Sequence, residues 1–334
     1  MNSAPDSSHV GWLRVVSLIN FVKDLLANGG FRTGVVLGLG ACIAVVIGTA
    51  GRRGLVPWIG VAWTVAAVVG FADRFSVEAG FVVGLAVLAL GCFLARRRGW
   101  WIRLAAVVPG ALVFGLVGGP DVDAPAWTTA AILIVTVGGG LLMARFDEVY
   151  APSGLPPVLL LVTVLGVYAT TPDTEHAAIL VGVSVPLVLL GGPWPVASLG
   201  FGGSVLVAAV LAWTVVVDGL ARPGAVVGGM ACLGLLVLEP AVRWASGRWD
   251  VARIWRSGER PTWPEPTAAA SDRWWLLVVL VLHLGVVGAC SRVAGLRTSA
   301  VQALALTVVT YAFAAALALL APLTRRRSLF KVDK

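Results

Sequence analysis

The stretch 156–176, PPVLLLVTVLGVYATTPDTEH, decides the fold of this chain. Pro156 and Pro157 open an apolar run that carries no charge until Asp173, and then Asp173, Glu175 and His176 fall within four residues. An uncharged run of this length reads as one short membrane-spanning helix that delivers a compact acidic loop to one face of a bilayer. The same grammar recurs along the chain. The sequence therefore predicts an all-α, polytopic integral membrane helix bundle.

Composition agrees. The 334 residues are 58% hydrophobic and only 13% charged, with a mean hydropathy of +0.92. Soluble globular chains carry about 25% charged residues. With half that share a water-exposed surface could not be covered, so lipid must be the solvent for most of the chain. Backbone groups in hydrocarbon must pair internally, which leaves helices or a closed barrel. Apolar runs of 15 to 24 residues select helices. The net charge of +8 would point to nucleic acid in a soluble protein. Here the arginines flank apolar runs, so they read as topology signals and contacts to anionic headgroups, with no nucleic-acid partner.

Residues 9–28 are interrupted by Arg14, Lys23 and Asp24 and read as an amphipathic helix lying in the interface. No cleavable leader is evident before it. Eleven spans are then predicted, near 33–50, 55–72, 79–95, 101–118, 126–144, 156–171, 176–191, 196–217, 224–242, 274–290 and 299–322. If Arg52 and Arg53 are cytoplasmic, alternate loops collect 18 of the 25 Lys and Arg. That asymmetry places the N-terminus outside and the C-terminus inside. The organisation is thus an extracytoplasmic segment (1–30), a bundle of nine spans (31–242), a cytoplasmic loop (243–273), two further spans (274–322) and a basic tail (323–334).

In the loop 243–273, Trp244, Trp249 and Trp255 alternate with Arg243, Arg248, Arg253 and Arg256. Indole bodies at headgroup depth with guanidinium groups on phosphates give a lipid-contact segment; docking of a cytoplasmic or membrane protein is the alternative. A weak internal repeat is also readable. Pro57 to Asp73 and Pro157 to Asp173 share one spacing at an offset of 100 residues, which would make two parallel four-span units.

The residues that could carry chemistry are few. Asp73, Asp121, Asp173 and Asp218 end spans two, four, six and eight on the outer side. Each meets the negative end of a helix dipole there. They read either as solvated loop acids or as an electronegative mouth. Asp121 with Asp123, and Asp173 with Glu175 and His176, are the densest groups. Hard oxygen ligands suit a divalent cation, and a carboxylate beside an imidazole suits proton transfer. No other cofactor is evident. His283 falls near the middle of span ten, where an imidazole needs a partner. Pro109 and Pro186 lie inside spans four and seven and are expected to break or kink them. Cys42, Cys92, Cys232 and Cys290 lie in apolar runs outside any metal-ligand spacing and read as packing residues.

Three functions are compatible with these features. The first is a bacterial plasma-membrane transporter or flippase for a small or lipid-linked substrate. It rests on nearly continuous spans, short loops and intramembrane polar groups. The second is a non-catalytic scaffold subunit of an envelope complex that docks through 243–273. The third is a membrane-embedded enzyme of envelope glycan or lipid assembly, with Asp173, Glu175 and His176 as its candidate catalytic residues. The chain reads as a non-enzyme first.

Overall fold

The computed structural model describes residues 20–49, 57–74, 78–95, 99–118, 126–150, 155–171, 175–191, 198–220 and 224–233, with Gly285 and a few positions between 305 and 309. Among these residues the chain is helical and contains no strand. The helices are α1 (Gly29–Thr49), α2 (Ile59–Arg74), α3 (Ala79–Ala95) and α4 (Trp100–Val117). Helix α5 runs through Ala126–Ile134, a π-turn at Val135–Gly139, and Gly140–Tyr150. Then come α6 (Leu155–Thr170), α7 (Glu175–Gly191), α8 (Phe201–Gly219) and α9 (Gly224–Leu233). Each overlaps one of the first nine predicted spans. Three of them are long and apolar enough to cross a membrane: Gly29–Thr49, Ala126–Glu148 and Phe201–Gly219. The other apolar helices run 10–17 residues. All but those few positions of the last two predicted spans, the loop 243–273, His283, Asp121, Asp123 and Asp173 lie outside the described residues.

Helix α8 is the axis of the fold. Sixteen of its 19 residues are buried, as an all-round apolar helix requires. It packs on α5, α2 and α3, and glycine sets the closest approaches. Gly60 of α2 meets Gly203 backbone to backbone, and Gly140 of α5 lies against the Cα of Val205. Helix α9 turns back along α8, with Gly219 on Val226 and Gly229 on Val215.

A second layer forms around α7. Gly30, Gly34 and Gly38 recur every four residues and put one bare stripe of α1 against α7. A Cβ on Gly38 would lie 2.8 Å from the Val183 carbonyl, and one on Gly30 would lie 2.9 Å from that of Glu175. On α7, Gly182 returns the favour beneath Phe31. Close backbone approach of this kind is how helices associate where lipid gives no hydrophobic drive. Ahead of α1, residues 20–27 are helical. Phe21 packs edge-on against Tyr168 of α6 at 5.5 Å, and Asn28 caps α1 by accepting from the Gly30 N–H at 2.8 Å.

Large apolar side chains also cover much of the outside of the bundle. Val36 and Ile47 on α1 are 68% and 69% exposed, and Leu90, Leu94, Trp101 and Leu116 also point outward from α3 and α4. Inside, the hydroxyls of Thr64, Thr163, Thr171, Ser184 and Thr214 each donate to the carbonyl four residues back, at 2.7–3.0 Å. Trp63 of α2 donates its indole N–H to Ser184 of α7 at 2.8 Å. A contiguous outward apolar surface fits lipid as the solvent.

Two expectations gain no support among the described residues. Neither Pro109 nor Pro186 divides its helix: α4 and α7 continue through them. The Pro186 ring packs beside Gly38 of α1, whereas Pro109 is exposed and it is its neighbour Gly110 that sits on Leu88. The irregular turn is instead the π-turn of α5, beside Gly138, Gly139 and Gly140. The internal repeat gains no support from packing. Helices α3 and α4 form a close hairpin, whereas α7 and α8, their would-be equivalents, touch only slightly.

Candidate functional site

The start of α7 and the end of α8 come together around one histidine–carboxylate contact. His176 stands in the first turn of α7 and Asp218 in the last turn of α8. The His176 Nδ1 lies 2.8 Å from the Asp218 Oδ1. Their side chains are 12% and 2% exposed. With Asp218 ionised, the Nδ1–H donates and Nε2 is left as the basic nitrogen.

Aromatic rings wall the pair. Phe71 of α2 meets the imidazole edge-on at 5.0 Å and Trp213 of α8 does so at 5.7 Å. Phe81 of α3 packs on Trp213 at 4.6 Å and on Phe114 of α4 at 5.5 Å. The Trp213 indole donates to the Gly118 carbonyl at 2.7 Å, which fixes the ring against the end of α4. Burying a carboxylate among rings is costly unless it is paired. Two fields help. Asp218 sits at the negative end of its own helix but beside the positive N-terminus of α7, and His176 has the converse placement.

The sequence placed Asp218 among outer-mouth acids and grouped His176 with Asp173 and Glu175. The structure pairs His176 with Asp218, 42 residues away, and buries that acid. Glu175 is half-buried in the first turn of α7, where the dipole favours it. Asp73 is exposed at the end of α2. Among the described residues no group of three His, Cys, Asp or Glu gathers in a way that could hold a metal ion. Asp121, Asp123 and Asp173, where cation ligation was expected, lie outside them.

A second polar centre, at the other end of α8, was not foreseen. Asp147 of α5 is buried. Its carboxylate accepts the N–H of Leu199 at 3.0 Å and of Gly200 at 2.8 Å, and the Ser198 hydroxyl is a further donor. It thus caps α8 from another helix, since the position before Phe201 has no side-chain cap of its own. The same short segment accepts from α2: Ile59 N–H to the Ser198 carbonyl at 3.0 Å, and Gly60 N–H to that of Leu199 at 3.3 Å. Next to Asp147, Glu148 takes Arg103 of α4 at 2.9 Å and Arg145 of α5. The Arg103 guanidinium also lies 4.8 Å over the Phe201 ring. The four charges of this centre cancel. Gly140, Ala144 and Asp147 share one helical stripe, a spacing that could have marked Asp147 as facing inward.

Comparison with protein-family models and with curated proteins finds no match for this chain.

Proposed function

We propose that the chain is a multi-pass plasma-membrane transporter or flippase for a small or lipid-linked substrate, with His176 and Asp218 as its proton-binding pair. The eleven-span, N-out and C-in arrangement belongs to this reading. The observation that carries it is the buried His176–Asp218 contact at the outer end of the central helix. Imidazole is the side chain that changes charge near neutral pH, and ionisable groups inside a bundle are costly enough to mark pathways for ions or substrate. Asp73, Glu78 and Glu175 at the same end supply further acidic charge to the approach. A purely structural tie between α7 and α8 would need no titration at all.

Histidine NMR separates the two. The chain has three histidines, so nitrogen-15-labelled His176 can be assigned by its loss in His176→Gln. In the transporter reading its resonances respond reversibly to pH, and Asp218→Asn alters that response. A His176 signal fixed in one tautomer throughout would sink the proton role and bring the scaffold function forward.

A further inference from the structure

We propose that the inner end of α8 is a gate latched by Asp147, opposite the His176–Asp218 contact; the inference rests on the transporter reading, in which the central helix is pinned at both ends. The segment Ser198–Gly200 is not helical and is held entirely by its neighbours. Asp147 of α5 takes its N–H groups, and the first N–H groups of α2 take its carbonyls. Gly200 has φ of 74°, and a Cβ there would lie 2.9 Å from the Pro57 carbonyl. The turn is therefore clamped between α2 and α5, and α8 begins its own ladder only with Ser204 N–H on the Gly200 carbonyl at 2.9 Å. Where α8 then crosses α2, Gly60 faces Gly203.

A latch needs an alternative state that keeps its buried carboxylate satisfied. One is close by. Glu148, the next residue, holds both Arg103 and Arg145, two cations on one anion. Releasing the backbone N–H groups would let one guanidinium pass to Asp147. Arg103, already lying over Phe201 at the start of α8, is placed to follow that movement. The two arrangements exchange hydrogen bonds to a charged group for an ion pair, which is the requirement for a two-state element.

The chain contains its own reporter. Cys92 of α3 is buried, and a Cβ on Gly202 would lie 3.3 Å from its Cβ, so the first turn of α8 covers the thiol. In full-length protein reconstituted in liposomes, with Cys42, Cys232 and Cys290 changed to Ala, labelling of Cys92 by a small permeant maleimide reads the inner end. A parallel form with Cys92→Ala and Thr171→Cys, a buried position at the outer end of α6, reads the rest of the bundle. Asp147→Asn sets an amide donor against backbone donors. The expected result is a Cys92 labelling rate raised at least about tenfold, the scale of losing a hydrogen bond to a charged group, with the thiol at position 171 still protected. Glu148→Gln, at a partly exposed site, frees both arginines to compete for Asp147 and should raise Cys92 labelling in the same way. It decides the matter if Asp147→Asn is not recovered folded. Unchanged Cys92 labelling in both variants overturns the latch, and so does joint exposure of both thiols. No substrate is needed, so a latch that fails while His176 titrates leaves the transporter reading standing. A latch that opens beside a non-titrating His176 removes the proton role alone.

Discussion

A buried hydroxyl or carboxylate in this bundle has value according to the donor it satisfies. Ser184 illustrates the point. Its hydroxyl donates to Leu180 and accepts from Trp63, joining α7 to α2 in the core. Ser184→Ala leaves the buried indole N–H without an acceptor and should cost about 1–3 kcal/mol. Ser184→Thr keeps the oxygen and should cost less, and thermal unfolding in detergent ranks the two. At His176 and Asp218, a double-mutant cycle with His176→Gln and Asp218→Asn should give a coupling of about 0.5–3 kcal/mol, the range for residues in direct contact. A coupling near zero would mean that the 2.8 Å contact contributes no net stability. The sequence made His176 and Asp218 visible as titratable residues at the ends of apolar runs. It could not pair them. Asp218 is one of several similar acids until α7 and α8 are brought together, and its partner lies 42 residues away. Asp147 went unread because it follows Arg145 and precedes Glu148, where a charged cluster looks like a solvated loop.

Helices here are positioned by glycine rather than by large side chains, and α1 shows the rule within one element. Gly34 faces α7, where a Cβ would run into the Ile179 carbonyl and the Gly182 backbone; a Cβ on Gly40 meets nothing within 4 Å. Two identical substitutions should therefore have opposite signs. Gly34→Ala forces α1 off α7 and should destabilise by about 1–3 kcal/mol, the usual cost of overpacking. Gly40→Ala removes backbone entropy from the unfolded chain and should stabilise by about 0.5–1 kcal/mol. Unfolding of the two single variants, measured in one detergent, checks the signs. The stripe of Gly34 and Gly38 was legible as a packing face in the sequence, since glycines four apart share a helix side. Its partner was not. Nor was the π-turn at Val135–Gly139, because three consecutive glycines permit many backbone paths and only contact with α8 selects one.

At the scale of the whole molecule, the positions of the described helices were readable because long uncharged runs, with charged and Gly/Pro-containing breaks between them, mark them in the sequence. Which helix becomes the centre was not. Helix α8 has no more apolar character than α1, and α1 instead presents its Val36, Leu39 and Ile47 outward. Orientation adds a last consequence. Exposed Trp58 and Trp101 stand at the starts of α2 and α4, and exposed Trp127 at the start of α5. Indoles favour the two membrane–water interfaces, so these three mark the two rims of the bundle. Arg103 and Arg145 lie at the rim of Trp101, and in sequence Arg96–Arg98 directly precede α4 while Arg52 and Arg53 precede α2. The orientation proposed above from the positive-inside rule makes that rim cytoplasmic. On that proposal the Asp147 centre lies inside, the His176–Asp218 pair outside, and an odd number of spans separates the termini. Reporter fusions after residue 98 and residue 334 should therefore score cytoplasmic, and fusions at residue 5 and after residue 120 should score external. A shared side for residues 98 and 120 would mean that α4 does not cross the bilayer. A shared side for residues 5 and 334 would require an even span count, leaving one of the predicted spans to re-enter from the face it came from.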